Sequence, residues 1–222
     1  MKIYGVILAA GESIRFDAKI NKLFYKVNDK ELIRYPVETF LKNENIDEVI
    51  IVSSELNKSK LENLFKGKNQ LTVIEGGSSR QESEYRAIKY LQNKATAECI
   101  IAIHDAARCF LSSELLTNLV NTAKKYGSAA PYMESSKFYD ISNNQIAMQK
   151  KIVDIQTPQI YKYKDLLDAY LYLSKNGITK MVDTTESMYN FNKLKTHVIK
   201  GEENNLKITY MSDLNAFESM DK

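Results

Sequence analysis

The sequence predicts a doubly wound α/β domain on a mostly parallel sheet, with a protruding β-arm. Three observations carry that prediction. Short β-branched apolar runs alternate with stretches of helical period from residue 3 to about residue 127, the pattern of strands buried on both faces by helices. The 222 residues, 44% hydrophobic and 27% charged, suit one domain that buries roughly 70% of its unfolded surface. Right-handed crossovers between such strands make the doubly wound arrangement the default.

The elements follow in chain order. IYGVILA (3–9) is a strand, ELIRYPVETFLKN (31–43) a helix by its apolar spacing, DEVIIVSS (47–54) a second strand and ELNKSKLENLFK (55–66) a second helix. LTVIEGG (71–77) is the third strand, followed by the helix RQESEYRAIKYLQNK (80–94). ECIIAIHD (98–105) is the fourth strand, with five apolar residues in a row. SSELLTNLVNTAKKYG (112–127) is a helix with a Ser start and a Gly stop. The pattern breaks between about Ala130 and Asp154, where alternating and polar stretches read as the arm, a hairpin with Asn143-Asn144 near its tip; a disordered insertion is the competing reading. KYKDLLDAYLYLSKNG (162–177) is helical, THVIKG (196–201) is a strand, and SDLNAFESM (212–220) is a capped C-terminal helix.

Composition narrows the function. Thirty-one Lys and Arg against 28 Asp and Glu leave a net charge of +3, with the signs interleaved, so no polybasic tract argues for nucleic acid. Cys99 and Cys109 make neither a disulfide framework nor a metal spacing. No run approaches the roughly 20 apolar residues of a bilayer span, and the apolar start passes straight into polar GESIRFD. A cytoplasmic protein away from the membrane is expected.

Chemistry-bearing residues gather where strands end. LAAGESIRF (8–16) is a loop of small residues whose N–H groups can approach an anion, with Arg15 and Lys22 following. It is neither a Walker A loop nor GxGxxG, and a tight turn with two solvated cations is the competing reading. EGGSSRQES (75–83) lets a nucleobase lie against backbone beside the Ser83 hydroxyl, or is simply the approach to a helix cap. HDAAR (104–108) delivers Asp105, a candidate Mg²⁺ ligand, and Arg108, a candidate phosphate grip; a structural Asp–Arg pair is the alternative. His104 reads as a packed strand-end residue and His197 as structural, and Lys207 is either a further rim cation or a solvated lysine. With no GxSxG and no Cys–His pairing, the set points to nucleotidyl or phosphoryl transfer by positioning.

Taken together, LAAGESIR with Lys22, GGSSRQES (76–83), HDAAR (104–108), QTPQ (156–159) and NLKIT (205–209) resemble the cytidylyltransferases of the 2-C-methyl-D-erythritol 4-phosphate type. The motifs stand in that family's order and span almost the whole chain. The resemblance implies a Rossmann-like sheet of the nucleotide-diphospho-sugar transferase type, and a homodimer whose arm reaches the neighbouring subunit. It implies that CTP and a polyol phosphate give a CDP-polyol and pyrophosphate with Mg²⁺ as cofactor. By matching positions, Ala9, Ala10, Gly11, Gly77, Arg80 and Ser83 would bind CTP, and Arg15, Lys22 and Lys207 would be catalytic. Asp105 would assist the metal, and Arg108, Ser135, Gln149, Thr157 and Asp183 would face the acceptor. The departures are Gln149 where relatives carry arginine, Thr184 for a second aspartate, Cys109 for proline, and Glu134-Ser135 for Asp-Thr. Three of these changes fall near the acceptor side and none touches the CTP loops, so cytidylyl transfer is better marked than the acceptor. Ribitol 5-phosphate is the alternative acceptor, and a CTP-binding protein without turnover is the alternative class.

Overall fold

A computed structural model describes residues 1–13, 15–17, 21–134, 139–140, 145–146 and 153–214. Its centre is β1 (Ile3–Ala9), whose alternate residues face opposite layers. Beyond the first loop, the short strands β2 (Lys26–Val27) and β3 (Lys30–Glu31) pair antiparallel across Asn28 and Asp29, both at positive φ. That two-residue turn is the kind whose twist suits a hairpin. It occupies the start of the expected helix 31–43, so α1 begins only at Arg34 (Arg34–Lys42), with Pro36 in its first turn where a missing N–H costs nothing.

β4 (Glu48–Ser53), α2 (Glu55–Leu64), β5 (Leu71–Glu75), α3 (Arg80–Tyr90), β6 (Ile100–Asp105) and α4 (Ser113–Tyr126) follow the predicted alternation. α4 is the best-defined helix in the sequence: Ser112 accepts from Leu115 N at its start, and Gly127 ends it at φ 82. After it come β7 (Ser128–Glu134), the short pair β8 (Tyr139–Asp140) and β9 (Gln145–Ile146), then β10 (Val153–Ile155) and β11 (Gln159–Lys162). The chain continues through α5 (Tyr163–Lys175), α6 (Thr184–Asn192) and β12 (Val198–Lys200).

The sheet runs β10-β7-β11-β6-β1-β4-β5, with β12 parallel to β7. β1 pairs parallel with β4 and with β6, in registers that set Tyr4 opposite Glu48 and Ile3 opposite Ile100. The strand order reverses there, and a doubly wound sheet binds ligands beyond such a reversal. β11 is antiparallel to both β6 and β7, and β10 is antiparallel to β7, so one edge of the sheet is mixed.

The two faces carry separate apolar layers. Ile3, Ile7, Val49, Ile51, Ile100 and Ala102 pack under α1, α2 and α4 through Phe40, Leu61 and Leu116. Tyr4, Val6, Ile50, Val52, Ile101 and Ile103 pack against α3, α5 and α6 through Ile88, Leu166 and Met188. Each such side chain contributes about 1.5–3 kcal/mol by leaving water. Gly5 sits where any Cβ would fall 2.4 Å from the Phe40 ring, which lets α1 lie directly on β1.

Two further expectations change. Residues 130–134 and 153–154, expected in the arm, belong to the main sheet; the hairpin itself is β8–β9, and its turn at 141–144 lies outside the described residues. The C-terminal helix 212–220 begins as a 3-10 turn at Met211–Asp213, and from residue 215 on it also lies outside the described residues.

Candidate active site

Beyond the carboxyl ends of β1, β4, β5 and β6 lies a cavity of about 950 Å³. Its lining includes Ala9, Ala10, Gly11, Arg15, Lys22, Gly77, Arg80, Ser83, Asp105 and Lys207, ten of the residues expected from sequence. Their codes are scattered along the chain; the parallel strands bring them to one rim.

The β1 loop turns through Ser13 at φ 62, and the Ser13 hydroxyl donates to Asn21 Oδ1 at 3.2 Å. Asn21 in turn accepts from Leu23 N at 3.0 Å, capping the short turn that presents Lys22. Lys22 Nζ donates to the Ile208 carbonyl at 2.7 Å. Burial, then the neighbouring charges of Lys207 and Arg15, lower its pKa. Three cations therefore crowd one rim, a region that an anion relieves.

On the β5 side, Gly76 N donates to Ser53 O at 2.7 Å and Gly77 N to Ser83 Oγ at 3.1 Å. A Cβ at Gly76 would stand 2.8–3.0 Å from Ser83 Oγ, Ala10 Cβ and Val52 Cγ1, so the two loops meet only because residue 76 has none. Ser79 caps α3 by accepting from Glu82 N at 3.1 Å, and Glu82 holds Ser78 by both its N–H and its hydroxyl.

At the end of β6, Asp105 is the negative centre. Its Oδ1 accepts from Arg80 Nε at 3.2 Å and its Oδ2 from Lys207 Nζ at 2.7 Å. Burial alone would raise its pKa, but Arg80 and Lys207 outweigh that and hold the carboxyl well below the usual range. The aspartate thus has a structural arginine partner, as one reading of HDAAR allowed, but the partner is Arg80 and not Arg108. Behind it, Thr157 Oγ1 accepts from Asp105 N at 3.1 Å and lies 3.0 Å from His104 Nδ1. The hydroxyl proton therefore goes to Nδ1, which leaves Nε2–H to donate to the Arg108 carbonyl at 3.0 Å. This neutral tautomer agrees with burial pushing His104 down to about 4. His104 is a packed strand-end residue, as expected, and not a base.

The acceptor-side set divides differently. Thr157 is buried at 3% exposure, and its hydroxyl bonds Asp105 N and His104 Nδ1 at the end of β6. Asp183 is spent as the cap of α6: Oδ1 accepts from Glu186 N at 2.8 Å and Oδ2 from Gln159 Nε2 at 3.0 Å. Both side chains thus have structural partners of their own. Arg108 Nη1 donates to the Asn205 carbonyl at 2.8 Å, while its Nε is buried without a partner. Arg108 does not line the main cavity. Ser135 and Gln149 lie outside the described residues.

Sequence reasoning missed the loop after β4, where Ser54, Glu55 and Leu56 line the cavity. Its signal was available, since every other strand end in this half of the sheet had been read as a site. Among the described residues no three His, Cys, Asp or Glu side chains converge as a metal cage. The one carboxylate at the strand end, Asp105, fits a Mg²⁺ ion held mainly by a ligand's phosphates, the usual manner for that ion. Cys109 is buried and its thiol is pushed up to about 12 by that burial, so it offers no nucleophile.

This rim can hold a polyanion and stabilise added negative charge without covalent chemistry. Comparison with known proteins agrees. Residues 3–220 match the family described as IspD, 2-C-methyl-D-erythritol 4-phosphate cytidylyltransferase. A protein of that name from Thermosipho africanus is 34% identical over 218 residues, covering 96% of this chain and 95% of its own. Another from Clostridium acetobutylicum is 32% identical, covering 97% and 95%. The crystal structure of Francisella tularensis 2-C-methyl-D-erythritol 4-phosphate cytidylyltransferase superposes with a TM-score of 0.83 at 23% identity, over 99% of each chain, a likeness of fold.

Proposed function

The chain belongs to the 2-C-methyl-D-erythritol 4-phosphate cytidylyltransferase family, and we propose from that membership how its cavity divides the work of transfer. The enzyme is a CTP-dependent nucleotidyltransferase of isoprenoid precursor synthesis. A phosphate oxygen of 2-C-methyl-D-erythritol 4-phosphate attacks the α-phosphorus of CTP. The bond from that phosphorus to the bridging oxygen breaks, and pyrophosphate leaves with the electron pair.

The observation that carries this reading is the convergence of Arg15, Lys22 and Lys207 in one cavity that Gly76, Gly77 and Ser83 also line. The small-residue loop Ala9–Gly11 offers backbone N–H groups to the triphosphate. Lys22 and Arg15 stabilise the charge that grows at the α-phosphorus and on the departing pyrophosphate, the usual source of catalysis by preorganised cations. Lys207 joins them once phosphate competes with Asp105 for its ammonium. Gly77 and Ser83 face the nucleoside, Arg80 meets the triphosphate from beside Asp105 and Lys207, and Arg108 serves the acceptor phosphate together with Gln149 and Ser135.

Mg²⁺ belongs to the same proposal: bound to the triphosphate beside Asp105, it would neutralise charge on the α-phosphate and the leaving group. A homodimer joined through the stretch between β7 and β10 is proposed on the resemblance alone, and light scattering tests it. Among the described residues no helix is long and apolar enough to cross a membrane, and we place the enzyme in the cytoplasm, where CTP is made.

The direct test is pyrophosphate release from CTP and Mg²⁺ with each of two acceptors, 2-C-methyl-D-erythritol 4-phosphate and ribitol 5-phosphate. Strong preference for the first is expected. Preference for the second would move the enzyme to CDP-ribitol supply, and CTP binding without turnover on either would make it a binding protein.

A further inference from the structure

Outside the lining of the cavity, α3 presents a buried acid that the transfer chemistry does not use. Glu84 is 1% exposed and stands one helical turn beyond Arg80. Its carboxylate accepts from Arg80 Nη1 at 2.7 Å, from the Thr184 hydroxyl at the start of α6 at 2.6 Å, and from the Tyr170 hydroxyl of α5. Arg80 continues to Asp105, and Asp105 continues to Lys207. The result is one chain of contacts, α5 and α6 to Glu84 to Arg80 to Asp105 to Lys207, that begins in the core and ends at the cavity. Arg80 Nη2 is buried with no partner, so the guanidinium is held by two carboxylates and not by a complete cage of acceptors.

We propose that Glu84 is a positioning residue for nucleotide transfer: by drawing Arg80 back against Asp105, it sets how much of the Arg80 and Lys207 charge the triphosphate meets. The inference rests on the cytidylyltransferase reading and adds a residue to it.

Two physical points support the assignment. A buried carboxylate is a poor adhesive, because removing it from water costs several kcal/mol and an apolar replacement often serves stability as well. If Glu84 merely joined α3 to α5 and α6, a neutral amide would do, since its oxygen can accept from the Thr184 hydroxyl and its NH2 can donate to the Tyr170 oxygen. What an amide lacks is the negative charge that holds the Arg80 guanidinium away from the cavity. Without the charge at position 84, Arg80 is left with Asp105 alone and can turn toward the cavity. There it competes with Lys207 for Asp105 and grips the triphosphate already in the ground state, and binding of that kind does not raise turnover.

Glu84→Gln therefore separates the two roles. The proposal expects kcat to fall about tenfold, the low end of what an outer partner of a site residue usually costs, with KM for CTP unchanged or lower. The effect must pass through Arg80, so in an Arg80→Gln background the same change should leave kcat within about twofold, the signature of coupled sites. Unchanged kcat in Glu84→Gln, whatever happens to thermal stability, would overturn the proposal. So would a KM rise at constant kcat, or losses that multiply in the double variant.

If Glu84→Gln fails to fold, Tyr170→Phe removes one bond to the same carboxylate and keeps the ring. It should lower kcat in the same direction by a smaller factor, about threefold, since the carboxylate keeps its charge and its contacts with Arg80 and Thr184, and no change would again overturn the idea. Calorimetric titration with CTP keeps this test independent of the acceptor's identity. Glu84→Gln should bind CTP at least as tightly as the parent, and any tightening should vanish in the Arg80→Gln background.

Discussion

The two halves of the sheet treat their motif residues in opposite ways. On the side of β1, β4, β5 and β6, residues picked out by motif line one cavity: Ala10, Lys22, Gly77 and Asp105 all face it. On the side of β7, β10 and β11, equally conspicuous polar residues are used to build the protein. Thr157 ties β11's lead-in to β6, and Asp183 starts α6. The difference follows from strand direction. Parallel strands end together, and their loops can be given over to a ligand. An antiparallel strand inserted between β6 and β7 must enter at that same end, and its loops need polar side chains to satisfy its backbone.

The largest expected effect lies on the first side. Lys22→Ala should lower turnover about 100–1,000-fold, the usual cost of one preorganised charge, with the fold intact by circular dichroism. A loss under threefold would remove Lys22 from the site and dissolve the contrast.

Thr157→Val should do the reverse. It leaves the Asp105 N–H and His104 Nδ1 without their shared partner, at a cost of about 1–3 kcal/mol in unfolding free energy. Urea titration measures that cost. An acceptor KM that rises while stability holds would return Thr157 to the substrate.

A related expectation concerns acid. His104 is neutral when folded and takes up its proton only near pH 4, whereas the unfolded imidazole does so near 6.5. The unfolded state therefore binds more protons between those values, and stability should fall as pH drops from about 6.5 toward 4. A flat stability profile across that window would mean that His104 is not sealed behind the site.

Smaller again is Asp183→Ala, which removes a helix cap and should cost about 1 kcal/mol while acceptor KM stays put. The smallest is Gln149→Arg, which adds a charge where the family resemblance implies one. A charged contact is about twice as strong as a neutral one, so acceptor KM should fall a few-fold. No fall would mean that the acceptor phosphate is held elsewhere.

Much of the nucleotide half was legible in the sequence because its signals are local. IYGVILA and the Ser112-to-Gly127 helix declare their own ends, and small residues after a strand mean the same thing wherever they occur. The other half depends on pairing at a distance. β11 follows the Thr157–Pro158 turn, and nothing in QIYK says that it will run antiparallel between β6 and β7. α6 has only nine residues and was passed over, although Asp183 with Glu186 three residues on is a capping pattern. The turn at Asn28-Asp29 was readable too, but the apolar period of the following helix masked it. Glu84 was invisible as a functional residue, because its meaning depends on Tyr170 and Thr184, 86 and 100 residues away.

The most direct test of the contrast between the two halves is a titration of the isotope-labelled chain with CTP and Mg²⁺, followed by amide chemical shifts. The account predicts early, saturable shifts at Ala10, Gly11, Gly76, Gly77, Ala106 and Lys207, with Asp183 and Thr185 nearly still. Shifts centred on α6 and β11, with the β1 and β5 loops unmoved, would contradict it and place the nucleotide on the wrong half of the sheet.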